Sequence, residues 1–301
     1  MKIPTFSDKE KLERIIKSSG VSRSELAKRL EVSYKAIWRW LDQGVIPHQR
    51  QSHDIDQLFK EHFDLRAILL DLKKKIKNPI TILKNNPKVW KKFVLKMTYN
   101  SNAIEGSRMT INETEKAIAG EQVKGKELFE VLEAVNHKNA MELMLKVIRP
   151  GFKIDKEYIL KLHEIVMYNF NNKLPGKYRT GYVNLTNSET KLPSAQDVPL
   201  KMGQLIKKIN SYGKDPLDKI TRDHYDFELI HPFFDGNGRV GRLIMITQLL
   251  SLAFAPVVIT IEDRYKYYMG LEKCGLNDYN SLTQLVCEGI IAGYRLLVDK
   301  K

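Results

Sequence analysis

Apolar residues recur at helical spacing along nearly the whole chain. The pattern predicts helices over 9–18, 22–30 and 34–41, then 88–104, 111–119, 125–147, 155–170, 199–211, 216–231, 239–252, 263–274 and 279–298. Start and stop signals agree with these bounds. Ser22 and Glu25 have the spacing of a capping box, Ser33 can cap the helix that starts at Tyr34, and Gly44 and Pro47 close it. Gly106 stops the helix that begins near Lys88. Only residues 175–200 depart from the pattern. There Val183-Asn184-Leu185 and Lys191-Leu192 flank Thr186-Asn187-Ser188-Glu189, an alternation that reads as strand, turn and strand. The fold class expected is all-α with one small β-hairpin.

The chain has 301 residues, enough for one large domain and a smaller one. Residues 66–87 carry Lys73-Lys74-Lys75, Lys77, Pro79 and Pro87, and they read as a basic connector. The expected division is 1–65, the linker 66–87, then 88–153 and 154–298. Net charge is +14, and residues 1–100 hold 22 Lys/Arg against 11 Asp/Glu. The surplus sits in the N-terminal third, where it suits a nucleic-acid partner. Within that third, Ser-Glu-Leu-Ala-x-x-Leu-x-Val-Ser at 24–33 resembles a repressor-like helix-turn-helix. The resemblance implies a separable double-stranded-DNA-binding unit whose recognition helix presents Tyr34, Lys35 and Arg39; a helical module for protein contact is the alternative. The polar N-terminus shows no signal peptide and no run of eighteen apolar residues occurs, so a cytoplasmic protein without membrane contact is expected. Cys274 and Cys287 lack metal-ligand spacing and read as reduced packing thiols.

The chemistry concentrates in His231-Pro232-Phe233-Phe234-Asp235-Gly236-Asn237-Gly238-Arg239-Val240-Gly241-Arg242. A Gly-Asn-Gly turn followed by a long apolar helix exposes N–H groups at the positive end of a helix dipole, a place suited to phosphate. Arg239 and Arg242 add forked cationic donors one turn apart, and Asp235 adds a hard oxygen for Mg²⁺. His231 is the side chain here that can take a proton near neutral pH. A metal hydrolase built on His224 and His231 fits less well, because no third His or Cys lies nearby.

This stretch resembles the signature loop of the Fic family, His-Pro-Phe-x-Asp-Gly-Asn-Gly-Arg-x-x-Arg, at every defining position. The resemblance implies a helical Fic/Fido core that moves AMP from Mg²⁺-ATP to a Ser, Thr or Tyr hydroxyl of a protein target. It implies His231 as the base and Asp235 as the metal carboxylate. Gly236, Asn237, Gly238, Arg239, Gly241 and Arg242 would then bind the phosphates. Upstream, Ser101-Asn102-Ala103-Ile104-Glu105-Gly106 matches the family's inhibitory helix, in which Glu105 pairs with Arg242 and Ser101 belongs to the motif. Arg264-Tyr265-Lys266-Tyr267-Tyr268 resembles the element that borders the nucleotide base, with Tyr267 and Tyr268 nearest it. The hairpin at 175–200 corresponds to the flap that lays a target peptide beside the site. One departure is Gly275, where many relatives carry an Asn near adenine.

Other readings stay open at this level. The core can use another phosphate-containing donor such as UMP, phosphocholine or phosphate, although Gly238 stands where phosphorylating members carry Lys. It can remove AMP, with a glutamate positioning water. It can serve a DNA-binding regulator that senses nucleotide without transferring it. Neither the target protein nor the oligomeric state is legible.

Overall fold

The computed structural model describes residue 3 and residues 6–170, 175–184 and 191–298. The N-terminal unit is four helices: α1 (Asp8–Ser19), α2 (Arg23–Arg29), α3 (Tyr34–Asp42) and α4 (Gln49–His62). Their caps follow from the sequence. Ser7 and Glu10 close a full capping box at α1, and Ser33 Oγ accepts from the N–H of Ala36 at 3.2 Å. The box expected at Ser22 is half made. Ser22 Oγ accepts from the N–H of Glu25, but the Glu25 carboxylate turns to Arg29 at 3.3 Å. Leu26, Ile37 and Leu41 are buried and pack α2 and α3 together.

The expected connector at 66–87 is instead two helices, α5 (Leu65–Lys75) and α6 (Pro79–Asn85). Leu65, Leu69, Leu72, Ile80 and Leu83 are buried, while Lys74, Lys75 and Lys77 are exposed and Lys73 lays its ammonium over the Phe254 ring, 4.2 Å from the centroid. Each such leucine contributes roughly 2 kcal/mol by leaving water, which is why the segment folds back on the body. Pro79 and Pro87 do not mark a break between domains. Each sits in the first turn of its helix, where the missing N–H has no intrahelical partner to lose.

The remaining helices are α7 (Pro87–Ile104), α8 (Ile111–Ala119), α9 (Leu128–Val147), α10 (Lys156–Val166), α11 (Val198–Ile209), α12 (Pro216–Ile230), α13 (Asn237–Ser251), α14 (Arg264–Gly275) and α15 (Asn280–Val298). From Arg239 to Ser251 every residue of α13 is buried, so this helix has no solvent face and forms the axis of the fold. It packs against α7, α9, α10 and α12. The tip of the expected hairpin, residues 185–190, lies outside the described residues. Its flanks at 183–184 and 191–192 are irregular, and no strand occurs among the described residues. Helix α15 is long and apolar enough to cross a membrane, but most of it is buried inside the protein. Cys274 and Cys287 are free and buried.

One hydrophobic core runs from the N-terminal unit into the body, with α4 packed on α14 and α15, and α5 on α15. The N-terminal unit therefore shares its core with the body. A buried charge cluster fastens the junction. Lys11 Nζ lies 2.6 Å from both Asp56 and Glu288, and Lys266 Nζ lies 2.7 Å from Asp56. Lys11 is 1% exposed, so its removal takes the ion-pair partner from the half-buried Glu288 and leaves Asp56 with Lys266 alone. We expect Lys11→Ala to lower the unfolding free energy by about 3 kcal/mol in a urea titration. A change below about 1 kcal/mol would show that the cluster is solvated rather than buried.

Candidate active site

The site is built where α12 hands over to α13. Helix α12 ends at Ile230, and His231 follows with φ 47° and ψ 62°, the left-handed region. A non-glycine residue held there costs on the order of 1–2 kcal/mol. The turn that follows is pinned from several sides. Both atoms of the Asn237 side-chain amide bind the backbone of Phe233, each at 2.9 Å. The Phe233 ring is buried and stacks on His163 with centroids 3.7 Å apart and planes 4° off parallel. Gly236 takes φ 76° as the residue before α13. That helix then begins with N–H groups that have no intrahelical acceptor, at the positive end of its dipole.

A carboxylate reaches into this anion cradle. Glu105 follows the last residue of α7, and its Oε1 lies 2.8 Å from Arg242 Nη2. A side chain on Gly238 would overlap that carboxylate, so only glycine leaves room for Glu105 over the start of α13. Arg242 is 2% exposed and is held by the same end of α7: its Nε donates to Ser101 Oγ at 3.0 Å and its Nη2 to the Ser101 carbonyl at 2.8 Å. Burial works against the guanidinium charge, but Glu105 together with Tyr267 and Glu228 outweighs it and holds Arg242 above its ordinary pKa. Helix α14 anchors the end of α7, because Arg264 Nε and the Tyr268 hydroxyl both donate to the Ile104 carbonyl.

Arg239, 3% exposed, bridges Asp235 at 3.2 Å and Glu133 of α9 at 3.0 Å. Arg239 Nε and Arg242 Nη1 are both buried with no hydrogen-bond partner. Unpaired buried donors on two neighbouring arginines are uncommon and mark a place for an anion. The Asp235 carboxylate is 63% exposed; its Oδ1 accepts from Gly236 and Arg239, and Oδ2 is outside those bonds. His231 Nδ1 lies 3.3 Å from the Glu228 carbonyl, which favours the tautomer with Nδ1 protonated and Nε2 free to accept. Burial holds His231 below the ordinary imidazole value, the Glu228 carbonyl opposing, so the ring is neutral at pH 7.

Some expected site residues do other work. The Asn237 side chain closes the turn, leaving its backbone N–H as what it can offer a phosphate. Gly241 faces α12, and a Cβ there would press on Glu228, Phe227 and His224, so its smallness serves helix packing. Tyr267 is 1% exposed, with its hydroxyl 2.8 Å from His224 Nε2 and its ring beneath Arg242. It supports the arginine and presents no free face to a base. Tyr268 is 42% exposed and borders the opening. His224 is buried and neutral, its pKa pushed down to about 3 by burial and by Arg242, so it is a packing residue.

Four residues escaped the sequence reading: Glu133, His163, Arg179 and Glu228. His163 Nδ1 accepts from the N–H of Gly176 and its Nε2 lies 3.1 Å from the Asp235 carbonyl, so it ties the 175–184 segment to the loop. Glu228 lies beside Arg242 with Oε1 unpaired; burial and the charge of Glu105 push it up to about 8, Arg242 opposing. Glu228, three residues before His231, was within reach of pattern reading. The others come from distant helices or loops and carry no local signal.

Tyr34, Lys35 and Arg39 are not near this site. They lie with Trp38 on the exposed face of α3, where Tyr34 is 54% and Trp38 40% exposed.

Residues 153–249 match the model of the Fic/DOC family. The chain is 29% identical over 193 residues to the protein adenylyltransferase Fic of Nematostella vectensis, covering 62% of this chain and 45% of that protein. It is 26% identical over 196 residues to the protein adenylyltransferase fic-1 of Caenorhabditis elegans, covering 63% and 38%. It thus spans less than half the length of these curated relatives. A Fic family protein from Desulfovibrio desulfuricans superposes with a TM-score of 0.65 at 26% identity, over 77% of this chain and 74% of that one. A Fic domain containing signaling protein from Bacteroides thetaiotaomicron gives 0.68 at 23% identity, over 78% and 96%. The part of the chain that matches the Fic/DOC family, residues 153–249, takes in the junction of α12 and α13 on which the site is built.

Proposed function

We propose that the protein is an autoinhibited protein adenylyltransferase, which transfers AMP from ATP to a Ser, Thr or Tyr hydroxyl of a protein target. The observation that carries this reading is the Glu105–Arg242 pair laid over Gly238, with two buried arginine donors left unpaired on the helix that follows the His231 turn. Such a cradle suits a polyphosphate, and the carboxylate blocks it. The names of the curated relatives support AMP as the transferred group.

The chemistry follows from the residues. The target hydroxyl oxygen bonds to the α-phosphorus as the bond from that phosphorus to the pyrophosphate oxygen breaks. His231 takes the hydroxyl proton at Nε2, and pyrophosphate leaves with the electron pair. Arg239, Arg242 and the N–H groups at the start of α13 hold phosphate oxygens and orient the nucleotide for in-line attack. Asp235 fits Mg²⁺ as an exposed single carboxylate, since that ion takes one or two carboxylates together with substrate phosphates. Bound there, Mg²⁺ would neutralise phosphate charge.

Incubation with α-labelled ATP and a cell lysate tests the reading, comparing the natural chain with Glu105→Gly. Label should enter protein, and more of it with the variant. A variant that binds ATP but labels nothing at any Mg²⁺ concentration would end the adenylyltransferase reading and favour another donor.

A second activity is supported by the exposed α3 face. The basic N-terminal third and the accessible Tyr34, Lys35, Trp38 and Arg39 suit a DNA groove. On this reading the unit binds duplex DNA with an affinity that falls steeply with salt. Lys35→Ala and Arg39→Ala should each weaken it, with a salt slope smaller by about one. No retention of any duplex at low salt would assign this face to protein contact instead.

A further inference from the structure

Arg179 lies in the stretch between α10 and α11 and is 2% exposed. All its observed hydrogen bonds go to main-chain carbonyls. Its backbone N–H donates to Pro232 at 2.8 Å and its Nε to His231 at 2.8 Å. Its Nη1 donates to Gly181 at 3.0 Å and its Nη2 to Pro193 at 2.5 Å. No carboxylate pairs with it among the described residues. A buried cation without a counter-charge is costly, and an apolar side chain would fill the same volume with less penalty. What an apolar residue cannot supply is a planar fork that orients several carbonyls at once.

The carbonyls it holds are informative. His231 sits in the left-handed region, a conformation that relaxes unless its surroundings over-determine it. Its N–H is fixed by the Phe227 carbonyl at 3.0 Å, and its C=O by Arg179. The peptide on either side of the base is thus clamped. Gly181 and Pro193 belong to the two described stems that flank residues 185–190, and Gly181 passes close to the Phe234 ring of the loop. One guanidinium therefore joins the base to both stems.

We infer that Arg179 is the positioning residue of His231, holding its left-handed backbone and locking it to the stems at Gly181 and Pro193. The inference rests on the adenylyltransferase reading for its effect on rate, but not for its effect on the geometry of His231. It separates base placement from nucleotide binding, because Arg179 touches neither Arg239 nor Arg242.

The test uses the full-length Glu105→Gly chain as parent and adds Arg179→Met or Arg179→Lys. With α-labelled ATP, the Met variant should lose about 100-fold in kcat, while the dissociation constant for ATP stays within about threefold of the parent. The Lys variant keeps the charge and one point of contact, and should recover part of the rate, to about 10-fold below the parent. ATP affinity that falls in step with rate in both variants would overturn the inference, as would an undiminished rate. A second readout needs no activity: carbethoxylation of His231 by diethyl pyrocarbonate, mapped by mass spectrometry. Its rate should change at least about threefold in the Met variant and less in the Lys variant. If the parent transfers no AMP, the adenylyltransferase reading fails, and the His231 labelling decides the role of Arg179 alone. An unchanged labelling rate in both variants then overturns it.

Discussion

Glu105→Gly should raise AMP transfer, self-modification included, by about tenfold or more. Glu105 and the terminal phosphate of ATP compete for one cation, since Arg242 Nη2 is already 2.8 Å from the carboxylate and Nη1 is the buried donor left over. With Glu105 in place, a triphosphate meets a negative charge at the cradle. At about 4 Å this repulsion is about 4 kcal/mol at an effective dielectric near 20. ATP can still bind with its phosphates turned from the in-line direction, so the block falls on chemistry more than on affinity. The variant also leaves Arg242 buried without its main counter-charge. The free variant should therefore be less stable, and ATP should raise its melting temperature more than that of the natural chain. Arg242→Ala should not rescue activity, and the double variant should stay inactive, because the phosphate anchor is gone. Self-labelling with α-labelled ATP across a Mg²⁺ series reads the outcome. Equal labelling of the natural chain and Glu105→Gly, with His231 intact, would rule out the inhibitory role of α7.

His231→Ala, made on the Glu105→Gly chain, should reduce AMP transfer by at least about 100-fold with little change in ATP affinity. The cradle and the base are physically separate. Arg239, Arg242 and the N–H groups of α13 lie after the turn, whereas His231 lies before it at the end of α12. The ring is poised by two features: burial keeps it neutral, and the Glu228 carbonyl holds Nδ1. Truncation removes the proton acceptor and leaves the phosphate donors in place. Calorimetric ATP titration beside a single-turnover transfer assay separates these quantities. A variant with undiminished turnover would remove His231 from the role of base.

Much of the site was readable because it is contiguous. From His231 to Arg242, a turn and a helix start place a base, a carboxylate and cationic donors within twelve residues, and the spacing of residues along one helix fixes which groups meet. The Ser101–Glu105 segment was readable as a motif, although only folding brings its carboxylate over Gly238. The segment 66–87 is ambiguous for a local reason. Leu65, Leu69 and Leu72 recur at helical spacing, but the lysines and two prolines around them are equally what a linker carries. Proline in the first turn of a helix and proline at a boundary look alike until the neighbouring face is seen to be buried.

Sequence alone determined the local terms: helix periodicity, serine caps and the glycine turn before α13. These depend on residues a few positions apart, whose geometry the backbone dictates. Tertiary structure alone decided which distant groups share a charge or a carbonyl. Arg242 meets Ser101 and Glu105, more than 130 positions earlier, and Arg239 meets Glu133. Arg179 reaches His231 from another loop, and Lys11 reaches Glu288 from the opposite end of the chain. Such contacts have no period in the sequence. They arise because burying the apolar faces of α7, α9, α12 and α13 leaves each buried charge needing a partner, and packing selects which one is within reach.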